Sequence, residues 1–207
     1  MSDTLSLTDI KKPDTQAPLT DLLAKRWSPR AFADTPIARD VLVSVLEAAR
    51  WSPSSSNEQP WRFIVGQKGD PVHDKLVNVL MAGNQSWAKR APVLMLAITR
   101  TTREKNDKPN AHARHDVGGA LAHLTIQAAS HDIYVHQMGG FVADKATDVF
   151  DIPEPFEPVT AVALGYLGDA DTLEDAKKES EIAERHRKPL SELVFTDTWG
   201  ETNPLVE

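Results

Sequence analysis

The chain has 207 residues, 41% of them hydrophobic and 26% charged, which is long and apolar enough for one sizeable buried core. Its formal charge of −7, with basic residues scattered, speaks against a nucleic-acid-binding face, and no apolar run nears the ~18 residues of a membrane span. With no cysteine, disulfides, thiolate nucleophiles, iron–sulfur clusters and cysteine-held zinc are excluded.

The opening MSDTLSLTDIKKPDTQ is polar and lacks the apolar stretch of a secretory leader, so a cytoplasmic location is expected. Residues 1–18 read as an N-terminal arm, because Pro13 and Pro18 prevent a continuous helix. LTDLLAKRW begins a helix with Thr20 as its N-cap. TPIARDVLVSVLEAARWSP has the clearest helical periodicity, with Ile37, Val41, Leu42, Val45, Leu46 and Ala49 on one face. Pro36 suits its first turn and Pro53 stops it. The connection SPSSSNEQPW then runs from Ser52 to Trp61, rich in hydroxyls, with an amide pair (Asn57, Gln59) between two prolines. Most connections need about two to six residues and ask little of them.

WRFIVG reads as a strand, DPVHDKLVNVLMAG and NQSWAKRAP as two helices, and PVLMLAITR as a strand apolar enough to be buried on both faces. TTREKNDKPNAHA is a polar loop without periodicity, either a mobile lid or plain solvated surface. ARHDVGGALAHLTIQAASHD is a long helix, apolar around most of its circumference; its Gly118 and Gly119 cost roughly 1 kcal/mol each against Ala and imply close approach by another element. IYVHQMGGF is extended, ADKATDVFDI a short helix, PVTAVALGYLG a strand, and TLEDAKKESEIAERHRKPLSELVF a charged helix ending in a Pro-broken tail. That order predicts a sheet covered by helices, in either the α+β or the α/β class.

GxGxxG, GxxxxGK[ST], GxSxG and HExxH are all missing, so no standard dinucleotide, P-loop, hydrolase or zincin site is supported. His112, His115, Asp116 and His123 share a helix, but no motif supplies the remaining ligands, and no metal is expected. Ser54, Ser55 and Ser56 lack a base fixed nearby and read as a hydrogen-bonding loop. Gly139-Gly140 permits close backbone approach, to a flat ligand or simply in a tight turn. In RWSPR, the alternation of Arg26, Ser28 and Arg30 puts two guanidiniums and a hydroxyl on one side of an extended stretch, an anion clasp. Arg185 and Arg187 repeat the alternation near the other end; together the two segments point to a phosphate-bearing ligand.

RWSPRAF, AARWSPSSSNEQPWRFIV, GNQSWAKRAPVLML, HQMGGF and ERHRKPLSELV, in this order, resemble the nitroreductase family of FMN-dependent oxidoreductases over residues 19–195, with a tail at 196–207. The resemblance implies an α+β fold with a central, mainly antiparallel sheet flanked by helices. It implies a homodimer with an FMN at each subunit interface and a C-terminal arm over the partner. By the same resemblance Arg26 and Ser28 hold the phosphate and ribityl side, and Arg30 lies by the flavin's pyrimidine edge. Arg185 and Arg187 close on the phosphate, and Asn84 meets the ring edge. Met138, Gly139 and Gly140 lie against the isoalloxazine, while Pro53, Ser54, Ser55 and Asn57 come from the other subunit. The serine run is then an extended, rigid wall for the neighbour's flavin.

Many family members carry a basic residue about one turn after the position of Asn84; here that position is Trp87, with Lys89 and Arg90 beyond, which leaves Arg30 as the expected cation. The implied reaction passes a hydride from NAD(P)H (NADH or NADPH) through FMN to a nitroaromatic, quinone or similar small-molecule acceptor, with ping-pong kinetics. No catalytic side chain is assigned, since solvent or the flavin can supply protons. The competing readings are a flavin-binding, stress-protective protein with incidental turnover, and a phosphate-ligand-binding domain without redox function.

Overall fold

VLMLAITR and its neighbour VTAVALGY are nearly unbroken apolar runs because they form the two middle strands of a sheet buried on both faces. The computed structural model describes residues 7–206. Its elements in chain order are α1 (Leu7–Ile10), α2 (Asp21–Lys25), α3 (Arg39–Arg50), β1 (Trp61–Gln67), α4 (Pro71–Val79), α5 (Ala82–Ala88), β2 (Val93–Arg100), α6 (Ala113–Ser130), β3 (Ile133–Met138), α7 (Ala143–Val149), β4 (Phe156–Tyr166) and α8 (Asp175–Ile182).

The chain divides into two units: residues 26–181, and a smaller one formed by residues up to Lys25 together with those from Ile182 onward. In the smaller unit the two ends of the chain meet. The Lys11 ammonium donates to the Ala183 carbonyl, and Gln16 Oε1 accepts the Leu190 N–H at 2.7 Å. Residues 1–6 of the expected arm and residue 207 of the expected tail lie outside the described residues.

The larger unit holds a four-stranded sheet in the order β1-β2-β4-β3, every pair antiparallel. This decides between the two fold classes left open by element order: the fold is α+β. The register pairs Val93 with Leu164, Trp61 with Thr99 and Ile133 with Tyr166. Between Ala97 and Ile98 it slips by one residue, beside Pro158, which has no N–H to give the ladder.

The period of two in β2 divides its side chains between two cores. Leu94, Leu96 and Ile98 face one with Leu76, Val79, Trp87 and Ala163; Val93, Met95 and Ala97 face the other with Val45, Ala49, Leu121, Leu124 and Val162. Thus α4, α5 and α7 cover one face of the sheet, and α3 and α6 the other. At Gly66 a Cβ would come within 2.5 Å of the His73 backbone nitrogen, so only glycine lets β1 and α4 approach this closely.

Helix α3 starts at Arg39 rather than around Pro36, because Ala38 is extended (φ −60°, ψ 143°). Ile37 and Leu42, buried in one core, staple the entry instead. The predicted helix through Met81 and Gly83 is broken at Leu80, which is extended and bridges to Phe141. The exposed side of α6 carries Arg114, His115, Gly118, Ala122 and His123. Of its two glycines, only Gly119 is approached: a Cβ there would meet Ser52 Oγ at 3.4 Å, while Gly118 faces open space.

Candidate functional site

RWSPR forms an extended segment with alternating burial. Trp27 and Pro29 are buried, while Arg26 and Arg30 are half-buried and Ser28 is exposed. Trp27 meets the Tyr134 ring edge-on at 5.9 Å, and Arg26 Nη1 lies 3.5 Å from Ser28 Oγ. The segment is moored from beneath. His136 Nδ1 donates to the Pro29 carbonyl at 2.8 Å. The Arg30 N–H is shared between the two Glu181 carboxylate oxygens at 2.9 and 3.0 Å, and the Ala31 N–H donates to the same carboxylate at 2.9 Å. The Arg30 guanidinium donates to Ser180 Oγ at 3.3 Å.

His136 packs against the Trp87 ring at 4.7 Å. Burial, assisted by the positive charge of Arg30, lowers its pKa to about 4, so at neutral pH it is an uncharged imidazole. Trp87, 1% exposed, also stacks on Phe32 at 6.2 Å, while Lys89 and Arg90 are exposed. The residue in the family's basic position is therefore a core aromatic that supports His136.

Beyond β3, the Gly140 carbonyl accepts the Met81 N–H and Asn84 Nδ2, both at 3.0 Å. A Cβ on Gly140 would lie 2.6 Å from that Nδ2. Asn84 and Gly140 thus meet, and the Asn84 amide nitrogen is used in holding the turn. Met138 is buried, with its carbonyl accepting from Thr160 Oγ1 at 3.0 Å, while Gly139 is exposed.

The serine connection is not the extended wall expected. Ser55–Asn57 is a tight 3₁₀ turn, and Ser56, Asn57 and Gln59 have φ of 55°, 57° and 46°. Left-handed non-glycine residues cost free energy and persist where the surroundings enforce them, often at ligand sites. The enforcing contacts are visible. Buried Asp116 accepts the Ser55 N–H at 3.0 Å, Ser54 Oγ accepts the Gln59 N–H at 3.0 Å, and Gln59 Nε2 donates to the Asn57 carbonyl at 3.0 Å. Pro53 and Asn57 are exposed, and Ser54 and Ser55 half-buried.

The polar loop after β2 is ordered by an ion pair of Arg100 with Asp107 at 2.9 Å and a bridge between Thr102 and Pro109. It docks on the serine turn through Arg103 Nη1 to Ser56 Oγ at 3.4 Å and the Glu104 N–H to Glu58 Oε2 at 2.9 Å. A pocket of about 500 Å³ lies between them, lined by Asn57, Gln59, Arg62 and Lys105 among others.

Arg185 and Arg187 belong to the smaller unit. Arg185 Nη2 donates to the Ala24 carbonyl and Arg187 Nη1 to the His186 carbonyl, each at 2.7 Å. On α6, His115 pairs with Asp116 at 3.1 Å and His123 Nδ1 donates to the Gly119 carbonyl at 2.9 Å; among the described residues no group of three or more His, Asp or Glu is placed to hold a metal ion. Among them, too, no helix is long and apolar enough to cross a membrane.

A family model described as the nitroreductase family matches residues 23–166, from just before the RWSPR segment to the end of β4. The chain belongs to the nitroreductase family. An uncharacterized 15.4 kDa protein of Mycolicibacterium smegmatis is 35% identical over 152 residues, 70% of this chain and 99% of its own. An FMN reductase [NAD(P)H] of Bacillus subtilis strain 168 is 26% identical over 164 residues, 71% of this chain and 65% of its own. Among solved structures, an oxidoreductase containing FMN superimposes with a TM-score of 0.86 at 36% identity, covering 91% of this chain and 96% of that one. A nitroreductase family protein from Clostridium difficile 630 gives 0.68 at 25% identity, covering 88% and 99%.

This nitroreductase family member owes its moored RWSPR segment to Glu181 and His136, neither singled out from the sequence, and its serine turn to Asp116, which the sequence offered only as a candidate metal ligand. Glu181 and Asp116 are buried carboxylates; Glu181 reads as an ordinary charged helix position in a linear sequence, and nothing there ties Asp116 to the serine run. His136 stands in HQMGGF, and its placement on a strand among apolar residues was the one available signal.

Proposed function

We propose that the chain is an FMN-dependent oxidoreductase that takes reducing equivalents from NAD(P)H and reduces a nitroaromatic, quinone or similar small acceptor. The observation that carries the reading is the moored Arg26–Ser28–Arg30 clasp within a chain of this family, supported by likeness to an FMN-containing oxidoreductase. The donor set fits the group: two guanidiniums and a hydroxyl suit a phosphate dianion, and the Gly139-Gly140 turn offers side-chain-free backbone beside a flat ring. FMN, when bound, supplies hydride acceptance from NAD(P)H and delivery of electrons to the acceptor.

Around it the protein binds, orients and tunes. Arg26 and Ser28 hold the phosphate and ribityl side, and Arg30 places a cation by the pyrimidine edge, favouring negative charge there. Met138, Gly139 and Gly140 give the ring a flat backbone surface, with Asn84 fixing that turn. Arg185 and Arg187 are further phosphate donors, as the family resemblance implies. Donor and acceptor use one site in turn, which gives ping-pong kinetics, and no side chain is needed as general acid.

The working form in this reading is a homodimer in which Pro53, Ser54, Ser55 and Asn57 face the partner's cofactor. The exposure of Pro53 and Asn57 and the left-handed backbone at Ser56, Asn57 and Gln59 support this, as do the exposed Leu193, Trp199 and Leu205 for an arm that covers a partner. The test is the visible spectrum of the purified protein under anaerobic NADH or NADPH. A flavin band that bleaches with donor and returns with a nitroaromatic or quinone supports the reading. A protein that stays colourless after incubation with FMN overturns it.

A further inference from the structure

Helix α8 is highly charged, and its one buried residue is an acid: Glu181 is 1% exposed. Its carboxylate accepts three hydrogen bonds, all from the Arg30 and Ala31 N–H groups. On the other side, half-buried His136 donates to the Pro29 carbonyl at 2.8 Å. The Pro29 carbonyl and the Arg30 N–H belong to one peptide plane, so the two side chains grip that plane from its opposite edges. The proline ring already fixes the preceding φ. With both edges held, the torsions that set where Ser28 and Arg30 point have little freedom left.

We infer that Glu181 and His136 are positioning residues that hold the Pro29–Arg30 peptide so that Arg26, Ser28 and Arg30 face one anion, and thereby set selectivity for a phosphorylated over an unphosphorylated flavin. The inference rests on the FMN reading above. Glu181 acts through geometry, because its own negative charge opposes anion binding nearby. Its replacement by glutamine offers one acceptor and turns an amide N–H toward backbone N–H groups. His136→Phe removes the donor to Pro29 but keeps a ring against Trp87. His136→Asn restores a donor, since the Asn amide nitrogen occupies the place of the imidazole Nδ1.

The experiment measures dissociation constants of FMN and riboflavin by flavin fluorescence for the full-length wild type and these three variants after flavin removal. Glu181→Gln and His136→Phe are expected to weaken FMN at least about tenfold, to move riboflavin less than about twofold, and His136→Asn to keep the preference for FMN. Parallel loss of both flavins, or FMN binding unchanged in Glu181→Gln and His136→Phe, overturns the inference. If Glu181→Gln does not fold, the contrast between His136→Phe and His136→Asn decides it alone: equal behaviour overturns it. A wild type that binds neither flavin fails at a different point and overturns the FMN reading together with the inference.

Discussion

Asp116→Ala is expected to release the serine turn while leaving the sheet intact. Asp116 is 4% exposed on α6, and its Oδ2 accepts the Ser55 N–H at 3.0 Å. A hydrogen bond to a charged acceptor is worth about 1.5–3 kcal/mol, and a left-handed non-glycine residue costs about 1–3 kcal/mol. The turn contains three such residues, so it cannot hold its shape on propensity alone and depends on its anchors. Loss of about 1.5–3 kcal/mol from one anchor multiplies local opening about 10- to 150-fold. Amide hydrogen exchange of residues 54–59 reads this directly, and Asp116→Asn, with one neutral acceptor retained, should fall between Ala and wild type. The α6 amides from Leu121 onward serve as the reference and should keep their protection. Wild-type exchange rates across 54–59 in Asp116→Ala would refute the anchoring argument.

Stability should depend on His136 in mildly acidic solution. Its folded pKa is lowered from 6.5 to about 4, so the unfolded chain binds more protons between those values. Stability is then full above the unfolded pKa and falls as pH drops through this window, by about 2 kcal/mol from His136 between pH 7 and 5; urea unfolding should show that increment lost in His136→Asn. Gly66→Ala places a Cβ 2.5 Å from the His73 backbone nitrogen, which cannot yield as a side-chain tip would. Overpacking of about 1–3 kcal/mol should lower the thermal midpoint by about 2–12 °C, and an unchanged midpoint would contradict the close β1–α4 packing. Arg187→Ala should raise the FMN dissociation constant about 10- to 150-fold through loss of a charge-assisted phosphate bond, and an unchanged constant rules out that contact.

The helices and strands were largely legible because burial imposes periods that survive in a linear string. The unbroken apolar run at 93–98 could only be a strand covered on both sides, and that is where β2 lies. The alternation of burial in RWSPR was legible as a pattern, since alternate residues of an extended stretch share a side. What was not legible depended on partners far away in sequence. The start of α3 shifted because Ile37 is buried in a core with residues as distant as Val93 and Leu121. The serine connection became a left-handed turn because Asp116, 61 residues on, takes the Ser55 N–H.

From its residues alone this protein was determined to be a cysteine-free chain with two buried strands, alternating Arg26, Ser28 and Arg30, and the ordered motifs of its family. The antiparallel strand order, the His136–Trp87 ring contact and the Glu181 grip on the Arg30 peptide exist only in the tertiary structure. The reason is physical: periodicity is a local property, whereas a buried carboxylate or imidazole has its role set by which unpaired backbone groups the fold delivers to it.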